Sequence, residues 1–432
     1  MLAVVVLFVL GLISYLMRYF LNVILAHHMS MQMFGDYGVA IGVLTGLTTL
    51  LLLGTNDTVR KYVPLYKETG ETEKLQAFIK WNIKLVLLGF LVYYLIIAAV
   101  VFIFFKGNLA NLLYFHMAMY FLLMAPVAAV ALLIIDYLLG EDRVILSTCI
   151  DVVVRYGVLI VIALTVVYYV SDSFTSVIVL AAWIIVSLLV IVLGILPFIL
   201  GKKNILARIS TTLKAQVSAE DAKVWYKDAA GLVILGTIYA LGGYLDLYVV
   251  EGIGSNEEMV GLYVAILSIT EFFFIFPSAT SKYVIPHISK MFGSPDQQAD
   301  LQKRINNTNI LNVGIAVVLA AIIIIFRDQI LGIFGPGYVI AGLPLVVSVI
   351  AVTLNAIGDL PDQLLTYTGF ENQVTLFIIA EIITLIGVGS LLCYYFGLLG
   401  VCLGMLASMS LRLVLCYWLA RKNLPVKTLS II

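Results

Sequence analysis

Charge is scarce in this 432-residue chain: only 12% of its residues are Asp, Glu, Lys or Arg, about half of the roughly 25% found in ordinary soluble domains. Hydrophobic residues make up 62%. A water-soluble fold of this length cannot hide that much apolar surface, so the outer faces need lipid as their solvent. The formal net charge is zero, which leaves no global field to recruit nucleic acid. Cysteine and histidine are equally sparse, four of each. Cys149, Cys393, Cys402 and Cys416 all fall inside apolar runs, with neither metal-ligand nor disulfide-framework spacing, and read as buried structural thiols. His27-His28 is a pair with no further ligand nearby, so neither a metal site nor a cofactor is expected. There is no glycine-rich phosphate loop ending in Lys-Ser or Lys-Thr, and the longest polar stretch, 201–225, is too short for an ATPase domain. No Ser/His/Asp arrangement or paired carboxylates sit on an extramembrane scaffold, so catalysis is not expected.

What the chain has is long apolar runs. A membrane helix needs about 20 apolar residues, and twelve such runs can be marked: 2–26, 37–56, 79–105, 113–138, 145–170 and 174–200, then 226–250, 258–281, 305–326, 338–360, 373–396 and 398–420. The first lacks the basic lead-in and short core of a cleavable signal peptide, and reads as a span. The expected fold is an all-α polytopic membrane protein of about twelve transmembrane helices. Its expected parts are an N-terminal six-helix bundle (1–200), a cytoplasmic linker (201–225) and a C-terminal six-helix bundle (226–432).

Lys and Arg set the orientation. With the N-terminus cytoplasmic, 19 of the 25 fall in cytoplasmic segments; only Lys106 and Arg327 lie on the other side, and Arg18, Lys84, Arg155 and Arg412 lie within spans. Both termini are therefore expected in the cytoplasm. The halves also look like copies. Glu141, Val144, Asp151 and Gly157 recur as Glu371, Val374, Glu381 and Gly387; Gly35 and Tyr37 recur as Gly261 and Tyr263; Lys61-Tyr62-Val63 recurs as Lys282-Tyr283-Val284. Six spans per half insert both copies the same way up, a parallel repeat suited to alternating access around a central cavity.

The run Met33-Phe34-Gly35-Asp36-Tyr37-Gly38-Val39-Ala40, an apolar span, and then Gly54-Thr55-Asn56-Asp57-Thr58-Val59-Arg60-Lys61-Tyr62 resembles the polysaccharide flippases. Ile333-Phe334-Gly335-Pro336-Gly337-Tyr338 carries a second resemblance. These transporters belong to the same superfamily as the multidrug and toxin extruders, and the likeness covers essentially the whole chain. The lipid-linked peptidoglycan precursor flippases are similar too, but usually carry fourteen spans. The resemblance implies transport of a polyprenyl-pyrophosphate-linked oligosaccharide across the cytoplasmic (inner) membrane for surface polysaccharide such as O-antigen. Its implied partners are that lipid-linked substrate, membrane lipids and other polysaccharide-assembly membrane proteins, with no nucleic acid.

Such a cargo has an anionic head, which gives intramembrane charges a purpose. Each costs about 2.5–3.5 kcal/mol on insertion scales, and arginine suits phosphate because its planar fork donates bidentately. Arg18 lies about sixteen residues into the first span with no acid one turn away. It is expected either to contact substrate or to snorkel or pair with an acid on another helix. Arg155, near mid-membrane, is a second candidate for substrate contact in a cationic cavity, or a structural partner of Asp151, which precedes it by four residues on the same face in the order of a helical ion pair. Arg60, Lys61 and Lys282 mark the cytoplasmic mouths of the second and eighth spans, as orientation signals or as a basic vestibule for the pyrophosphate. Glu271, near midplane, and Asp246, nearer the outer side, are candidate ion-coupling groups or partners of a buried arginine. Glu381 and Arg412 lie at equal depth on adjacent spans, which suggests a structural salt bridge. A cation-coupled drug exporter is the alternative; a cationic cargo favours cavity carboxylates, whereas the deepest charge in the first span is Arg18. A glycan polymerase would need a large outer loop, and the longest here has about twelve residues.

Overall fold

The computed structural model describes residues 2–170, 174–200, 211–212, 214–275, 298–424 and 426. Among these there is no strand; the chain is a succession of helices. Those used below are α1 (Leu2–His28), α2 (Met31–Leu51), α3 (Thr55–Glu68), α4 (Thr72–Phe104), α5 (Met117–Gly140), α6 (Val144–Val170), α7 (Ser176–Leu200) and α8 (Ala219–Gly242). They continue as α9 (Leu245–Ile253), α10 (Glu258–Thr270), α11 (Gln298–Ile325), α12 (Gly342–Leu365), α13 (Glu371–Thr384) and α14 (Leu398–Asn423). Of the linker expected at 201–225, residues 201–210 and 213 lie outside the described residues.

Ten helical stretches among the described residues are long and apolar enough to cross a membrane. One of them, Pro336–Phe396, holds two of the expected spans. The backbone leaves helical values there at Thr368 and Gly369 and divides α12 from α13. The expected span 258–281 begins as α10 and continues outside the described residues. With these two allowances the helices match the twelve apolar runs.

The helices form two compact units, one of Met1–Gly35 with Leu245–Ile432, the other of Asp36–Tyr244. The units do not follow the sequence halves. The first helix of the first half, α1, packs with second-half helices, and the first helix of the second half, α8, packs with first-half helices. The reason lies in side chains. In the first unit, Tyr15 OH donates to the Ser268 carbonyl at 3.1 Å, Asn22 Nδ2 donates to Ser268 Oγ at 2.8 Å, and His27 Nε2 donates to the Ile333 carbonyl at 2.8 Å. In the second unit, Trp225 of α8 is 1% exposed. It sits among the rings of Tyr62, Tyr66, Phe78 and Trp81 at centroid distances of 5.3–6.5 Å, and its indole N–H donates to Tyr66 OH at 2.9 Å. Aromatic burial of this kind is the largest single packing contribution a side chain makes.

Three glycines set close backbone crossings. Gly54 opens α3 with φ +75, a left-handed conformation that L side chains rarely adopt, and a Cβ there would strike the Ala229 carbonyl of α8. In the first unit the repeat-related pair Gly35 and Gly261 face each other. A Cβ on Gly35 would lie 2.7 Å from the Gly261 nitrogen, and one on Gly261 would strike the Met31 carbonyl. All four cysteines are free thiols; three are buried and Cys149 is half-buried.

Candidate functional site

In a largely apolar helix, α1 places Tyr15, Arg18, Tyr19 and Asn22 on one face, because residues three and four apart in a helix share a side. That stripe meets the C-terminal end of α10. Here the α-helix gives way to a 3₁₀ turn, Glu271–Phe274. Arg18 Nη1 donates to Glu271 Oε1 at 3.1 Å, one nitrogen to one oxygen. Both side chains keep about a third of their surface open, 35% and 39%. Rings border the pair: Tyr15 lies 5.0 Å from Phe272 and 6.0 Å from Tyr19, and Tyr19 meets Phe334 edge-on at 5.4 Å. Phe334 continues the run to Phe34 and Tyr338. The result is a cation with a counter-ion, flanked by faces and hydroxyls that suit sugars.

Asp246 stands apart from it in the same unit. It is buried in the first turn of α9; Tyr263 OH donates to its Oδ2 at 2.5 Å and the Leu247 amide to its Oδ1 at 2.8 Å. Its partners among the described residues are thus a phenol and an amide, not a cation. Arg412 of α14 spans three helices, with Nη2 2.6 Å from Asp362 Oδ2 on α12 and Nη1 3.0 Å from Glu381 Oε2 on α13. Asp362, beside Pro361 in the last turns of α12, is thus the second acid of this link.

In the second unit, Arg155 Nη2 lies 2.6 Å from Asp151 Oδ1, across a π-helical turn at Cys149–Val154. Arg60 directs Nε and Nη2 onto one oxygen of Asp136, at 2.8 and 2.5 Å, and Asp136 is wholly buried. Asp57 lies on the other flank of that guanidinium at 3.4 Å. Lys61 Nζ and Tyr62 OH both reach Asp228 Oδ2 on α8, at 2.5 and 2.7 Å. Burial, and then that hydrogen bond, push the Tyr62 phenol above its ordinary pKa, so it remains a donor. Lys282 lies outside the described residues.

Sequence reasoning missed two features here. The first is the specific pairing of Arg18 with Glu271: each is a candidate for an ion pair across helices, but nothing in the sequence joins the two, which are 253 positions apart. The second is Asp136, which an apolar run concealed. A signal for the first was present in the i, i+3, i+4, i+7 spacing of Tyr15, Arg18, Tyr19 and Asn22. Among the described residues, each candidate cation, Arg18, Arg60, Lys61, Arg155 and Arg412, is held by at least one carboxylate. Any anion reaching them would therefore meet cations already compensated, and would have to compete for them.

These helices define a multi-pass membrane protein with the fold of the MOP-superfamily transporters. An inward-facing conformation of a multidrug resistance MATE family transporter is similar with a TM-score of 0.78 and 14% identity, over 95% of this chain and 94% of that one. An outward-facing conformation of such a transporter gives 0.65 at 14% identity, over 98% and 95%. A MOP-superfamily transporter from Pyrococcus furiosus, described as having a binding pocket of reversed polarity that suggests a different function, gives 0.62 at 12% identity, over 98% and 95%. No curated protein matches the sequence. Residues 3–292 match the family model described as polysaccharide biosynthesis protein, and the chain belongs to that family.

Proposed function

We propose that this protein flips a polyprenyl-pyrophosphate-linked oligosaccharide across the cytoplasmic membrane, with both termini in the cytoplasm. The observation that carries this reading is Arg18: a guanidinium deep in α1, about one-third open and bordered by Tyr15, Tyr19 and Asn22. Arginine binds phosphate by charge-assisted hydrogen bonds, and aromatic faces stack on sugar rings. Membership of the polysaccharide biosynthesis family supports the same cargo. Arg60 and Lys61 supply a basic entry at the cytoplasmic end of the second unit, with Arg155 a structural partner of Asp151. Asp246 is the ion-coupling candidate, a buried carboxylate whose described partners include no cation.

A second reading, export of cationic drugs, draws on the fold shared with multidrug transporters. Complementation separates the two. In bacteria lacking a repeat-unit flippase, wild type restores surface glycan in at least one of several glycan backgrounds, and an equally expressed Arg18→Ala does not. Failure in every background together with gained resistance to cationic dyes refutes the flippase reading in favour of drug export.

A further inference from the structure

A phosphate-binding arginine that already holds a carboxylate raises the question of what the carboxylate does when cargo arrives. The candidate pairs answer differently. Arg412 is 22% exposed and its acids 16% and 15%, a closed three-helix link. Asp136, which holds Arg60, is fully buried, and Asp228, which holds Lys61, is 24% exposed. In the Arg18–Glu271 pair both members stay more than a third open. Their Nη1–Oε1 contact is 3.1 Å, longer than the 2.6 Å contact of Arg412 with Asp362 and similar to its 3.0 Å contact with Glu381. A two-nitrogen fork on a phosphate is stronger and better oriented than one nitrogen on one oxygen. The acid also stands where α10 changes to a 3₁₀ turn.

We propose that Glu271 is a tethered counter-anion: it occupies Arg18 while the carrier is empty, and the pyrophosphate of the cargo displaces it. This deepens the flippase reading and rests on it. An empty carrier with a bare arginine in the membrane carries an uncompensated charge, which is expensive; Glu271 removes that penalty. A loaded carrier has the phosphate in the same place. The tethered acid then competes for Arg18 throughout the occupied state, so the head group is held loosely enough to leave. A purely structural pair predicts the opposite sign, because removing the acid then leaves Arg18 disordered or misplaced and weakens binding.

The test uses the full chain in lipid nanodiscs and a short-chain prenyl pyrophosphoryl N-acetylglucosamine as probe. Calorimetry gives its Kd for wild type, Glu271→Gln, Glu271→Asp and Arg18→Gln, and probe exchange in proteoliposomes gives turnover. Glu271→Gln is expected to bind about tenfold more tightly than wild type, the scale of one charge-assisted hydrogen bond to the competitor, and to exchange more slowly. Glu271→Asp, with its carboxylate withdrawn by one methylene, falls between them and serves if the Gln variant does not fold. Arg18→Gln loses at least tenfold. Binding by Glu271→Gln or Glu271→Asp that is equal to or weaker than wild type, while Arg18→Gln still loses binding, overturns the counter-anion role and leaves the flippase reading standing. Absence of binding by wild type overturns both.

Discussion

Replacing Arg412 by Ala strands two carboxylates at once. Asp362 and Glu381 are 16% and 15% exposed, and the guanidinium bridges them at 2.6 and 3.0 Å. Among the described residues the other side chain hydrogen-bonded to Asp362 is the Cys416 thiol, at 3.6 Å, a weak donor. Breaking a largely buried ion pair from one side costs about 3–5 kcal/mol, because the surviving charge is left without compensation. Two like charges on neighbouring helices place Arg412→Ala at the upper end of that range. The triple variant Arg412→Met/Asp362→Asn/Glu381→Gln carries no charge and keeps most of the arginine stem's volume. A buried pair replaced as a whole is close to neutral, so the triple variant should sit within about 2 kcal/mol of wild type. Reversible SDS titration from mixed micelles measures both, and glycan complementation reports whether the triple variant still works. An Arg412→Ala loss below about 1 kcal/mol, or a triple variant no more stable than the single, would refute the view that this link organises α12, α13 and α14.

Trp225→Ala empties an aromatic box and removes the indole donor to Tyr66. The loss should be about 3–5 kcal/mol in the same titration, with α8 the first helix to become protease-accessible. Gly54→Ala combines a left-handed backbone with a clash on the Ala229 carbonyl, and should cost more than about 2 kcal/mol, seen as a sharp drop in folded yield. Tyr263→Phe withdraws the phenol from buried Asp246 and should destabilise by about 1–3 kcal/mol. If Asp246 couples an ion, Asp246→Asn will abolish gradient-dependent flipping at normal expression, as measured in proteoliposomes with and without an imposed gradient.

Local features were the most legible in the sequence. Each apolar run is its own length signal, and Asp151 and Arg155 sit four residues apart on one helix. Glu381 and Arg412 can be matched by depth because their spans are consecutive. Arg18 and Glu271 cannot, since hydropathy gives depth but not which helix stands beside which. A lipid-facing leucine and a core leucine also look alike when lipid is as apolar as the interior. This is why the placement of α1 and α8 in their units was invisible: it is decided by a few polar and aromatic contacts, those of Tyr15, Asn22, His27 and Trp225, embedded in apolar runs. Asp136 shows the same limit. One acid in a long apolar helix declares that it needs a partner, but Arg60 lies 76 positions away.

The facing glycines Gly35 and Gly261 have an evolutionary consequence. In a symmetric pair of identical subunits, a residue at the axis meets its own copy. If the two halves arose by duplication of one six-helix ancestor, these glycines descend from such a self-contact. Duplication ordinarily frees each copy to drift, but here Gly35 is confined by the Gly261 backbone and Gly261 by the Met31 backbone one turn before Gly35, and a backbone cannot be trimmed by a second substitution. Nothing is smaller than glycine, so no compensating exchange exists at either position. Residues that touch their own duplicate should be the last memory of the repeat to fade, long after the rest of the two halves have ceased to look alike.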